Sequence, residues 1–313
     1  PASATDVTSV NIPILTPQPG TYRLKAEAVP LDKELITTNN AQVAFVEVRE
    51  GGGRILYLEG NPRLEQTFLR RSLRRFPDLA LDYQWIPSDT VDRWPVDLDS
   101  AFEPGRYDIY IIGDLHADAL GEEQLQQLAD TVGKGAGLVT LGGSYAYGGG
   151  GYADSPLAAV MPVRMDPRRA RSPGGFGSPA PGSQIDPPLS PKISRSHPIT
   201  DLGGDSPSST WVELPPLLGA NRLIGPKVAP GIQVVLESEK GDPLMVIGEY
   251  GSGRTAAIAF DSTWRWWRNG QNEVHRRFWR QLTLWLLSRE NKADSQLVIS
   301  MDARRFATDK PPE

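Results

Sequence analysis

The pattern of apolar residues along this chain predicts an α/β protein: a mostly parallel sheet with helices on both faces, flanked by partial β-sandwich segments. Three observations carry that class. From Arg54 onward, short apolar runs alternate with amphipathic stretches of helical period. The run Gly137-Leu138-Val139-Thr140-Leu141-Gly142-Gly143 is a buried-type strand entering a sharp glycine turn, the place where many α/β enzymes mount a nucleophile. At 313 residues, 39% hydrophobic and 23% charged, the chain is long enough for one large domain of this kind with appendages.

Taken in order, residues 1–50 read as all-β and as the end of a β-sandwich begun upstream, because Gly20–Leu24 and Ala41–Val48 alternate with period two. Two or three strands cannot bury a core alone. Gly51-Gly52-Gly53 marks the boundary to a domain spanning 51–290. There, Ile55–Leu58 is the first strand, with Asn61 as N-cap, Pro62 at the first helical position, and an inward stripe of Leu64, Phe68, Leu69, Leu73 and Phe76. Leu79–Ile86 and Tyr107–Ile112 are the next strands, and a helix from about Glu122 turns Leu125, Leu128 and Val132 inward before the strand at 137–141. Such alternation implies parallel strands crossed over by helices.

Residues 164–210 interrupt the rhythm with a Pro/Gly/Ser-rich insertion, and 166–195 are expected to be mobile and dispensable for folding. A hairpin follows, Leu244–Tyr250 and Thr255–Phe260 across Gly251-Ser252-Gly253, then a helix near 272–288 burying Val274, Phe278, Leu282, Trp285 and Leu286. Residues 291–313 read as the start of a further β domain. No internal repeat is visible.

Composition excludes several functions. A formal charge of −5 and a pI near 5.4 oppose a phosphate-tracking surface, so nucleic acid is not an expected partner. No apolar run reaches the roughly 18 residues that span a bilayer. The N-terminal Pro1-Ala2-Ser3 carries neither a start Met nor a signal peptide, which suggests a soluble piece of a longer protein. Zero cysteines exclude disulfides and thiolate metal sites. Gly148–Gly151 is not followed by the Lys-Ser or Lys-Thr of a phosphate loop, and no cofactor is expected.

Several segments together carry a family resemblance. Arg54-Ile55-Leu56-Tyr57-Leu58-Glu59-Gly60, the loop from Gly142 to Tyr152, Met161-Pro162-Val163, and Tyr250-Gly251-Ser252-Gly253-Arg254 leading to Asp261-Ser262-Thr263-Trp264-Arg265-Trp266 resemble the class I glutamine amidotransferase-like domains of large bacterial membrane proteins. Those proteins often also carry von Willebrand factor A and immunoglobulin-like domains. The resemblance implies a flavodoxin-like sheet, an extracytoplasmic (periplasmic) location with the membrane reached through segments outside this chain, and usually no demonstrated activity. True class I amidotransferases place Cys in a small-x-Cys-x-Gly elbow and use a later His-x-Glu. Here the elbow offers Leu141, Gly142 and Gly143, and His197-Pro198-Ile199 keeps only the histidine, so glutaminase chemistry is excluded.

The remaining candidates are weighed by their chemistry. Ser144 with His197 or His275 would make a hydrolase if an imidazole took the hydroxyl proton, although the flanks do not fit Gly-x-Ser-x-Gly. Asp114, His116 and Asp118, alternating after a strand, could meet a divalent cation in an extended segment; helix capping explains them equally. Gly143, Ser144, Tyr145 and Tyr147 could line a cleft. Trp264, Trp266 and Trp267, interleaved with Arg265 and Arg268 and near Trp279, suit a protein or glycan surface, with at least half of the rings belonging to the core. Asp261 is expected to cap this segment and hold it beside the glycine loop. The reading is a catalytically degenerate amidotransferase-like module for recognition or scaffolding, whose partners are other domains of the same protein, another protein or a glycan; a hydrolase and a carbohydrate-binding module are the alternatives. Oligomeric state is left open.

Overall fold

The computed structural model describes residues 20–29, 40–48, 52–174, 179–204 and 207–287. The chain divides into two compact units, Pro1–Gly52 and Gly53–Glu313. In the first, β1 (Gly20–Glu27) and β2 (Ala41–Val48) form an antiparallel pair in register from Gly20↔Val48 to Glu27↔Ala41. On β1 only Tyr22 and Leu24 are half-buried, as expected where alternate residues share one face. The β domain read into 291–313 lies outside the described residues.

The second unit is built on β3 (Gly53–Glu59), α1 (Leu64–Leu73), β4 (Leu79–Trp85), β5 (Ile109–Ile112), α2 (Gly121–Gly133) and β6 (Gly137–Leu141). It continues through α3 (Leu157–Val160), β7 (Gln184–Ile185), β8 (Lys192–Ile193), α4 (Pro207–Glu213), β9 (Ala220–Asn221) and β10 (Gln233–Glu237). The hairpin β11 (Pro243–Tyr250) and β12 (Gly253–Ile258) follows, then α5 (Trp264–Arg268) and α6 (Asn272–Leu287). An eight-stranded sheet runs β4-β3-β5-β6-β12-β11-β10-β8. The first five strands are parallel and the hairpin adds the antiparallel end. The α/β class and the hairpin extension are thus as the sequence predicts.

Chain direction reverses at β3: one crossover runs from β3 out to β4, the others from β5 through β6 to β12. Right-handed crossovers in opposite directions put α1 and α2 on opposite faces. α1, α5 and α6 pack together on the first face. β3, β5 and β6 are buried nearly throughout, which explains their continuous apolar runs.

Three local expectations are corrected. α1 begins at Leu64, with Arg63 at the cap position but making no side-chain capping bond to the helix. The Asn61 side chain is used elsewhere, and the buried row of the helix is Glu65, Leu69, Ser72 and Leu73, leaving Leu64 exposed. In α6, His275 and Trp279 hold the inner row with Phe278, Leu282 and Leu286, while Val274 and Trp285 lie at the margin. The described part of 164–210 is tied into the domain: β8 is the last strand of the main sheet, β7 pairs with β9, and buried Leu189 exchanges two backbone hydrogen bonds with Leu217. Short as they are, β7 and β8 satisfy backbone groups that a detached loop would leave to water.

Candidate binding site at the carboxyl edge of the sheet

At the end of β6 the backbone turns through Gly142 and Gly143, and neither position has room for a side chain. A Cβ at Gly142 would sit 2.2 Å from the Ala259 carbonyl oxygen, and one at Gly143 2.5 Å from Asp114 Oδ1. Asn221 of β9 pins the turn: its Oδ1 accepts from the Gly143 amide at 2.8 Å and its Nδ2 donates to the Gly143 carbonyl at 2.9 Å. The position of a nucleophile is filled by neighbouring backbone and carboxylate.

Beneath the turn lies a buried ion network. Arg63 donates through Nε and Nη2 to the two oxygens of Glu59, at 3.2 and 3.1 Å, and through Nη1 to the Gly142 carbonyl at 2.6 Å and Asp261 Oδ2 at 2.7 Å. Glu59, fully buried at the end of β3, also accepts from the Tyr57 hydroxyl at 2.7 Å and the Asp114 amide at 2.8 Å. Asp114 accepts from Asn61 Nδ2 at 2.8 Å and from the Tyr145 amide. A bidentate guanidinium-carboxylate pair with every remaining lone pair engaged is the arrangement that makes buried charge tolerable. Burial pulls the Arg63 guanidinium down, but Glu59 first, then Tyr57, Asp114 and Asp261, outweigh it and hold the group above its ordinary range. Burial lifts the Asp261 carboxyl, and Arg63 draws it partly back.

Asp261 therefore anchors Arg63 and does not cap α5. That task falls to Glu65 of α1, whose carboxylate accepts from the Trp264 amide at 3.0 Å and from Thr263 Oγ1 at 2.5 Å. Burial pushes the Glu65 carboxyl up to about 7, the two hydrogen bonds notwithstanding. Thr263 Oγ1 is also 3.1 Å from His275 Nε2, and His275 Nδ1 is 2.7 Å from Ser72 Oγ, so a closed polar chain links α1, α5 and α6. Burial draws His275 down to about 3, which leaves it neutral.

The residues grouped by sequence are dispersed. Ser144 is exposed, and no histidine nitrogen lies within hydrogen-bonding distance of its hydroxyl. His275 is enclosed in the α1-α5-α6 interface. His197 Nδ1 accepts from the Ile199 amide at 3.2 Å and its ring meets Trp285 edge-on. The Ser144–histidine pairing is corrected accordingly. Asp114, His116 and Asp118 do not converge either, because the chain bends into a short 3₁₀ turn at Ala117–Ala119. Asp114 faces Asn61 and Tyr145, His116 Nδ1 accepts from the Asp118 amide at 3.1 Å, and His116 Nε2 is 3.0 Å from the Arg171 carbonyl. Among the described residues no group of three His, Asp or Glu could hold a metal ion.

The aromatic candidates divide. Trp266 is a core ring, packed edge-on against Trp211 and Phe278 with its Nε1 bonded to the Pro215 carbonyl. Trp267 is half-buried against Phe68, Arg71 and Arg276, and Trp264 lies under Arg268. Trp266 and Trp267 cement α5 to α1 and α6; their contacts are not with the glycine loop, which abuts Asp166, Arg169 and Arg171 instead. Tyr147 is buried with φ near 54°, its hydroxyl donating to the carbonyls of Thr140 and Ile258 across β6 and β12. Those two bonds hold a backbone conformation rare for a bulky residue. Tyr145 is buried with its ring edge-on to His116.

An open cleft of about 840 Å³ lies beside this edge, lined by Asn61, Trp85, Asp89, Ser144, Tyr145 and Arg171 among others. It sits where strand order reverses between β3 and β5, the crevice in which open α/β sheets hold ligands. Sequence reasoning placed Ser144 and Tyr145 there and missed Trp85, Asp89, Arg63 and Asn221. One signal for the ion network was legible: Glu59 is a lone charge ending the apolar run Ile55–Leu58, which demands a buried partner.

Among curated proteins none matches this chain. Among solved structures it is similar to the cytoplasmic protein STM1381 from Salmonella typhimurium LT2, at 22% identity over 85% of this chain and 96% of that one, with a TM-score of 0.50. It is less similar to the exo-beta-1,4-mannosidase Op5Man5 from Opitutaceae bacterium strain TAV5, at 14% identity over 74% of this chain and 36% of that one, TM-score 0.43. A beta-galactosidase from Rahnella sp. R3 follows at 14% identity over 76% and 32% of the two chains, TM-score 0.42. At these identities the likeness is one of fold. The family model described as "Putative glutamine amidotransferase" matches residues 88–288, more than half of the chain, and with the parallel sheet and the glycine elbow at β6 in place, this chain belongs to that glutamine amidotransferase-like family.

Proposed function

We propose that this domain is a catalytically degenerate amidotransferase-like module that works by binding. One observation carries the reading. The elbow at Gly142-Gly143 excludes any Cβ and is bonded from below by Arg63, so the place where acyl transfer needs a nucleophile is structural backbone. With no cysteine in the sequence and each histidine engaged by backbone or core groups, the chain offers no thiolate and no base beside Ser144. The test is ammonia release from glutamine by the purified chain. None is expected at any pH, and turnover that disappears in Ser144→Ala would refute the reading.

We further propose that the module belongs to a larger, membrane-anchored extracytoplasmic protein, where it serves as a recognition or scaffolding part beside immunoglobulin-like or von Willebrand factor A domains. The sequence resemblance to such proteins supports this, as does a compact β pair preceding the α/β unit in the chain. No helix among the described residues is long and apolar enough to cross a membrane. Fractionation of cells expressing the full-length protein tests the location: recovery in the soluble cytoplasmic fraction, protected from protease added to spheroplasts, would overturn it.

A further inference from the structure

We propose that the cleft outside the carboxyl ends of β3 and β6 is a binding site for a neutral saccharide, with Trp85 as its stacking platform and Asp89, Asn61 and Ser144 as its hydrogen-bonding groups. The proposal rests on the reading of the domain as a binding module and supplies the ligand class.

Of the eight tryptophans, Trp85 alone is exposed, at 51%. It ends β4, the edge strand of the sheet, so no neighbouring strand covers its outer side. Its indole N–H donates to the Gly60 carbonyl at 3.3 Å. That bond fixes the ring at the cleft wall before any ligand arrives, and a preformed surface loses little freedom on binding. Exposure of a large ring is costly in water, and the cleft gives it an apolar continuation through Pro62 and Pro87. A sugar ring presents a flat C–H face of matching character.

The polar groups narrow the ligand further. Asp89 is exposed, and neither its carboxylate nor the Ser144 hydroxyl has a partner among the described residues. Asn61 gives one N–H to Asp114 and keeps its second N–H and Oδ1. Ser88 likewise donates to the Gly60 carbonyl and retains acceptor lone pairs. Arg171, whose guanidinium lies 5.5 Å from the Tyr145 ring centroid, is the cationic donor at the wall. The cleft therefore offers both acceptors (Asp89, Asn61 Oδ1) and donors (Arg171, the Ser144 hydroxyl), which suits ligand hydroxyls that can act as either. An anionic ligand would meet Asp89 and the buried Asp114 behind Asn61. A neutral polyhydroxyl compound with an apolar face satisfies both halves of the cleft, and the volume accommodates more than one ring.

The experiment titrates the purified full chain with neutral gluco-, manno-, galacto- and xylo-oligosaccharides and N-acetylglucosamine oligomers, following calorimetry and tryptophan fluorescence. Saturable binding of at least one series is expected, weakened roughly tenfold or more by Trp85→Ala and several-fold by Asp89→Asn, with Trp267→Ala as an unaffected control. Thermal midpoints of the variants exclude unfolding as the cause. Absence of binding across the panel, affinity unchanged in Trp85→Ala or in Asp89→Asn, or displacement of sugar by peptides alone would overturn the proposal. A glutamine hydrolysis assay on the same preparation separates the two readings: silence toward sugars without ammonia release sinks only the saccharide site, whereas ammonia release sinks the binding-module reading itself.

Discussion

Glu65 makes this fold less stable as pH rises, and Glu65→Gln should remove that dependence. The carboxyl is fully buried under α5, next to Asp261, with Arg63 the nearest offsetting charge and a neutral His275 two hydrogen bonds away. It titrates near 7 in the fold against an ordinary value of 4.5. A carboxyl raised on folding favours the protonated native state, so the penalty is absent below about 4.5, grows as pH climbs toward 7, and is complete above it. At about 1.36 kcal/mol per pH unit, the full penalty is about 3 kcal/mol. The amide of Gln is neutral throughout and still offers one acceptor to Thr263 or the Trp264 amide, at the loss of a hydrogen bond worth about 1 kcal/mol. Urea unfolding followed by tryptophan fluorescence reads this unit, since Trp211, Trp266 and Trp279 lie in its core. The variant should be about 1 kcal/mol less stable than wild type near pH 4.5 and roughly 2 kcal/mol more stable near pH 8. Parallel stability profiles for the two proteins between those limits would show that Glu65 is ionised and satisfied in the native state, and the argument would fail.

Further outcomes follow from the same contacts. Arg63→Ala leaves Glu59 buried without its guanidinium and should cost roughly 3 to 5 kcal/mol in urea unfolding, whereas an unchanged midpoint would mean that the network contributes nothing. Trp266→Ala empties a site between Trp211 and Phe278 and should cost roughly 3 to 5 kcal/mol, a loss that a binding-surface tryptophan would not show. Gly143→Cys restores a thiol near the elbow but drives a Cβ into the Asp114 carboxylate, so it should lower the thermal midpoint and yield no ammonia from glutamine. Deleting 179–195 removes β7, β8 and the Leu189–Leu217 bonds, and calorimetry should record a clear destabilisation; an unmoved transition would return this stretch to the status of a dispensable loop.

Much of the architecture is legible because it depends on local periodicity. Continuous apolar runs at Ile55–Leu58 and Gly137–Leu141 mark strands buried on both faces, and the spacing of Leu125, Leu128 and Val132 marks the face of α2. The misreadings come from long-range partners. Asn61 has the composition of an N-cap, but Asp114, 53 residues away, takes its amide, and the helix starts later. Asp261 has the local look of a cap, but Arg63, 198 residues away, takes its carboxylate and Glu65 caps in its place. Trp85 carried no signal at all, since its exposure depends on β4 being the edge strand, a property of sheet order. The tryptophans that did form a pattern formed it because a short helix packs Trp266 inward and leaves Trp264 and Trp267 half-buried at its margins.

The ion network also explains why the usable cleft lies to one side of the elbow. In a catalytic α/β hydrolase-type edge, the turn after the central strand is kept open so that donors face the reacting atom. Here Arg63 reaches beneath that turn and Asn221 clamps it from the other side, so the Gly143 amide, the donor an oxyanion would need, is already spent on Asn221 Oδ1. The Gly143 amide and the Arg63 guanidinium are thus both consumed by the protein itself. The unspent groups, the Trp85 ring, the Asp89 carboxylate and the Asn61 carbonyl oxygen, lie toward β4. A ligand entering this edge finds only the Ser144 hydroxyl beside the elbow and gains most over Trp85, which moves the functional centre from the strand that family chemistry uses to the margin of the sheet.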